Sequence, residues 1–148
     1  MSYNPQNANG QATMANSAPV VIASNQSAVS AVASQETSAI YNGTTSLTPK
    51  FATITASSSG ATTVVAAVTS KKIRVISYVV VANAAVNIKF QSHVTPTDKT
   101  GLLYLAANGG VSGAYAPTGH FETISGEALD INLSGAIAVG GHLTYVEV

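Results

Sequence analysis

Residues 86–91 read Val-Asn-Ile-Lys-Phe-Gln, and residues 129–134 read Leu-Asp-Ile-Asn-Leu-Ser. Both segments alternate apolar and polar residues with a period of two, the spacing of a strand that is buried on one side only. Val86, Ile88 and Phe90 are expected to face a core, as are Leu129, Ile131 and Leu133. Lys89 and Asp130 then fall on the solvent side. From residue 50 onwards no segment carries the period of an amphipathic helix. Short apolar and β-branched runs at 51–56, 62–68, 73–82, 102–105, 121–124, 136–139 and 143–148 bring the total to nine expected strands. Ser58-Ser59-Gly60, Asn108-Gly109-Gly110, Ser125-Gly126 and Gly140-Gly141 supply turn residues between them, the last pair as a two-residue hairpin loop. Strands recurring about every 8–12 residues without helices between them predict an antiparallel sandwich or barrel. The preferred form is all-β: an antiparallel jelly-roll-like sandwich of about eight strands over residues 50–148.

Residues 1–49 have a different texture. They contain no lysine or arginine, a single acid (Glu36), and 23 Ser, Thr, Asn or Gln. Their one sustained apolar run is Pro19-Val20-Val21-Ile22-Ala23, too little to build a core. Helical spacing is confined to 28–40, where Val29, Val32, Glu36 and Ile40 share a stripe. Such a segment buries too little apolar surface to offset its ordering entropy, yet lacks the charge of a well-solvated disordered chain. An extended N-terminal arm over 1–49 is expected, ordering on a partner through Pro19, Val20, Val21 and Ile22.

The whole chain holds six basic and six acidic residues, only 8% charged against 46% hydrophobic. This balance speaks against long-range attraction to nucleic acid or anionic lipid, and it lowers the repulsion between copies of the chain. The start, Met1-Ser2-Tyr3-Asn4-Pro5, has neither the basic nor the apolar region of a secretory signal. The longest apolar stretch, 78–86, is too short for a membrane helix. There is no cysteine, and therefore no thiol or disulfide chemistry.

Catalytic and ligating patterns are sparse. His120 and Glu122 stand two apart on one strand and could join His142 or Asp98 at a metal, but no tight ligand spacing is present, and a solvent-facing pair is the simpler reading. Ser112, in Gly110-Val111-Ser112-Gly113, reads as a loop serine rather than a nucleophile elbow. Glu122, Glu127 and Asp130 are the available carboxylates for glycoside chemistry, and solvation accounts for Glu127 and Asp130. No helix follows Gly109-Gly110 to cradle a phosphate. Lys71-Lys72-Ile73-Arg74 is the only basic cluster; Lys72 and Arg74 share a face that would meet an acidic partner or form a solvated edge. Tyr104 and Tyr115 flank the Gly-rich segment as a platform for ligand stacking or for an interface, two uses that look alike in sequence. No enzyme and no cofactor is expected.

Residues 9–29, Asn-Gly-Gln-Ala-Thr-Met-Ala-Asn-Ser-Ala-Pro-Val-Val-Ile-Ala-Ser-Asn-Gln-Ser-Ala-Val, resemble a segment that recurs in virion structural proteins of tailed bacteriophages. The region 73–148, with Gly119-His120-Phe121-Glu122-Thr123 and Val139-Gly140-Gly141-His142-Leu143-Thr144-Tyr145-Val146, is similar to the β-domain of small capsid decoration (cement) proteins. The resemblance implies a homotrimer, made in the host cytoplasm, that binds the major capsid protein on the outside of the head and reaches neighbouring subunits with its arms. Related strings occur in tail and fibre proteins, so a fibre or head-exposed module recognising a host surface glycan is the alternative.

Overall fold

The computed structural model describes residues 40–94 and 96–148. Among them there are twelve strands and no helix. A short hairpin, β1 (Ile40–Asn42) and β2 (Thr45–Leu47), precedes the sandwich. β3 (Lys50–Ala56), β5 (Ile73–Ala82) and β12 (Val139–Glu147) form one sheet, with β12 in the middle. β9 (Gly110–Gly113) and β10 (Phe121–Glu122) lie end to end along the other side of β5. The second sheet has β4 (Gly60–Val65), β11 (Leu129–Leu133) and β6 (Val86–Ser92) in that order. Along its far side run β7 (Thr97–Asp98) and β8 (Leu103–Leu105). All pairings are antiparallel.

This is a jelly-roll-like sandwich: β3 to β4, β5 to β6, β8 to β9 and β11 to β12 each step from one sheet to the other. The fourth strand position of each sheet is filled by two short pieces rather than one long strand. The expected inward residues are in the core, with Val86, Ile88, Phe90, Leu129, Ile131 and Leu133 all buried against Ile54, Val80 and Leu143 of the facing sheet. Phe90 stacks on Phe121 at 5.1 Å and meets the edge of Tyr78 at 5.4 Å, closing one end of the core with aromatic rings.

Several strand assignments need correction. Gly140 and Gly141 are not a hairpin loop. They lie inside β12, where Gly140 faces Thr55 and Val81, and Gly141 faces Ile54 and Val80. The glycine is there for close approach: a Cβ on Gly141 would run into the Val79 carbonyl oxygen. The run 136–139 is mostly the turn leading into β12. The Gly-rich segment around Ser112 is strand β9, not a loop: it pairs with β5 from Tyr78 to Val81, and Gly110 suits that approach because a Cβ there would lie 2.6 Å from the Val80 carbonyl oxygen.

The boundary drawn between residues 49 and 50 is also moved. β5 carries one extra residue relative to β12, because Thr144 pairs with Ser77 and Tyr145 with Val75. The bulged Ile76 leaves the main core and packs with Val146 and with Ile40 of the hairpin, all three fully buried. Residues 40–47, read as part of the arm, therefore pack on the sandwich. The rest of the arm, including Pro19, Val20, Val21, Ile22 and the helical stripe before Ile40, lies outside the described residues.

Candidate interaction surfaces

The two sheets bury one face each against the other, which leaves two outer faces of opposite chemistry. On the second sheet, β11 and β6 present Asp130 beside Gln91 and Asn132 beside Lys89. These side chains are tied to one another. Asn132 donates from Nδ2 to Oε1 of Gln91 at 3.1 Å, and Lys89 Nζ lies 2.8 Å from an oxygen of Asp98 on β7. At the margin, Tyr104 of β8 stands opposite Asn87 and is 76% exposed.

Asp130 corrects an expectation. It occupies the polar side of its strand as the alternation requires, but it is only 1% exposed rather than solvated. The Thr63 hydroxyl donates to Oδ1 at 2.8 Å, and His93 donates from Nδ1 to Oδ2 at 2.7 Å. The segment after β6 carries His93 over the carboxylate, and both oxygens are satisfied by hydrogen bonds in place of water.

The basic cluster finds its acid within the chain. Arg74 Nε lies 2.6 Å from Oε1 of Glu122, and Lys72 Nζ lies 3.4 Å from Oε2. Partial burial works against ionisation of Glu122, but Arg74 and Lys72 outweigh it and hold the carboxyl below the ordinary glutamate value. His120 is not paired with Glu122. It donates from Nε2 to the Ala114 carbonyl oxygen at 2.7 Å and sits edge-on to Tyr78. Among the described residues no group of three or more His, Asp or Glu side chains gathers at a metal-sized site.

The outer face of the first sheet is built differently. Its register places Phe51, Thr144 and Ser77 in one row, Thr53, His142 and Val79 in the next, and Thr55, Gly140 and Val81 in the third. β9 extends the last two rows with Ser112 and Gly110. None of these eleven positions is Lys, Arg, Asp or Glu. Phe51 is 78% exposed, Val81 46% and Val79 36%. The nearest ion pair, Lys50 with Glu147 at 2.6 Å, sits at the strand ends, where its hydrogen bond raises the Lys50 pKa. β3 forms the edge of this sheet, and among the described residues only β12 pairs with it. An uncharged sheet face that exposes Phe51, Val79 and Val81 among Ser and Thr, beside a strand edge that no other described strand pairs, is the kind of surface that water-exposed β-proteins normally interrupt with charge.

No family model, curated protein or solved structure matches the chain.

Proposed function

We propose that this chain is a structural component of a tailed-bacteriophage particle: a capsid decoration (cement) protein without enzymatic activity. In this reading it assembles as a homotrimer and binds the major capsid protein on the outside of the head, with its N-terminal arm clamping adjacent subunits. The observation that supports the reading is the uncharged outer face of the first sheet, which exposes Phe51, Val79 and Val81. A surface of that composition is suited to burial against protein, and no charge has to be stripped of water to bury it. The phage-like segment at 9–29 adds the resemblance that names the particle.

The test is co-sedimentation of the purified protein with undecorated heads, followed by cryo-electron microscopy of the decorated particle. Saturable binding with density on the shell is the expected result. Density on the tail, or no binding, would sink the reading. One observation favours the alternative of glycan recognition: Tyr104 is exposed opposite Asn87 on the second sheet, and an aromatic ring beside an amide suits a sugar. Under that alternative Tyr104→Ala lowers adsorption to host cells, whereas under the decoration reading it leaves head binding unchanged.

A further inference from the structure

The outer face of the first sheet carries a knob at one end and a hollow at the other. Phe51 stands on the edge strand β3 in the first row of the register, with its side chain 78% exposed. Two rows on, beyond Thr55 and Gly140, an open depression of about 520 Å³ is lined by Val81, Asn83, Asn108, Ala138, Gly140 and Gly141, mostly through carbon atoms. Gly140 keeps it open, because its missing side chain leaves space above the strand: a Cβ there would meet nothing closer than 3.9 Å. Phe51 and Gly140 are four residues apart along the register, roughly 13 Å at strand rise. The surface between them is Thr53, His142, Val79 and Thr144, without a formal charge to desolvate.

We propose that this face is where a second copy of the chain docks, with Phe51 of one copy seated in the depression of the other. Three observations select a copy of the same chain as the occupant. Knob and hollow lie on one face, so a two-fold axis in the plane of contact can exchange them, or successive copies can engage around a closed ring. The chain has no net charge, so copies approach without repulsion. The hollow is large enough to admit an aromatic side chain. A buried aromatic anchor in a fitted pocket is the usual centre of binding energy in such a contact. The inference rests on the self-associating part of the proposed function and names the surface that part requires.

The experiment uses the full-length protein at on the order of 50 µM, a concentration at which micromolar complexes persist. Size exclusion with light scattering is run on the wild type, Phe51→Ser, Gly140→Leu and Tyr104→Ser, with head co-sedimentation in parallel. Phe51→Ser removes the knob, Gly140→Leu fills the hollow, and Tyr104→Ser alters an equally exposed aromatic on the other sheet. Circular dichroism melts check that each variant is folded. The expected result is an oligomeric wild type and Tyr104→Ser, with Phe51→Ser and Gly140→Leu each weakened at least ~10-fold and eluting near the monomer mass of 14.9 kDa. Folded Phe51→Ser and Gly140→Leu that keep the wild-type mass overturn the inference and leave self-association standing by another surface. A monomeric wild type that still binds heads overturns it together with the proposed homotrimer, and leaves only the attachment to heads standing. If Phe51→Ser then also lost head binding, a shell protein rather than a second copy would be the occupant.

Discussion

At the residue scale, alternation placed Val86, Ile88 and Phe90 in the core because side-chain direction in a strand is a local property. Burial on the outer side is not local. Asp130 has the neighbours of a solvated residue, and only Thr63 from another strand and His93 from the segment after β6 take it out of water. The same limit hid Glu122 as the partner of Lys72 and Arg74, some fifty residues away in the chain. That cluster has a pH signature. The Glu122 carboxyl titrates below its ordinary value of 4.5 in the folded protein, so the folded state binds fewer protons there than the unfolded one. Its contribution is therefore present above pH 4.5 and lost as pH falls through the lowered folded value. Glu122→Gln should lower stability at pH 7 and narrow the gap to wild type as pH drops below about 4.5. Urea melts at pH 7 and pH 3 measure this, and a gap that does not change with pH would mean the pairing does not stabilise the fold.

At the scale of elements, the long strands were legible and the glycine-bearing ones were not. β5 and β6 announce themselves by β-branched and alternating residues. β9 and the start of β12 contain glycines that a sequence alone assigns to turns, while in the sheet the glycines admit a neighbouring backbone. The two glycines of β12 separate these roles. Gly141→Ala forces a methyl group against the Val79 carbonyl oxygen, a backbone atom that cannot rotate away, and should destabilise by about 1–3 kcal/mol. Gly140→Ala meets only ordinary contacts and should be within ~0.5 kcal/mol of wild type. Chemical denaturation of the two variants decides the point, and equal effects would contradict the close approach of β5 and β12. Hairpin β1–β2 escaped notice for another reason: its anchor, Ile40, packs on Val146 and on Ile76, and Ile76 is displaced from the main core by a bulge in β5 that no local pattern announces.

At the scale of the molecule, the sandwich was foreseeable from strand spacing, whereas its limits were not. Truncation tests where the stable unit begins. Removing residues 1–39 keeps Ile40 and should leave the melting temperature of the sandwich nearly unchanged; under the proposed decoration role it should also weaken attachment to heads. Removing residues 1–49 uncovers Ile76 and Val146 as well. That loss should cost about 2–4 kcal/mol, or on the order of 10 °C in melting temperature. Differential scanning calorimetry of the two truncations is the measurement, and identical melting temperatures would return the hairpin to the arm.

The central place of β12 also governs how the chain is made. Among the described residues β3 and β5 are joined only through β12, and 82 residues lie between Ala56 and Val139. At a synthesis rate of roughly 5–20 residues per second, the first strand waits about 4–16 s after leaving the active site of the ribosome before its partner exists. During that interval β3 lacks the strand it pairs with, and β5 has only the short β9 and β10 to pair with along one side. A ribosome carrying this nascent chain thus displays an unpaired strand prone to aggregation, and a holdase that shielded it until β12 emerged would raise the yield of folded protein.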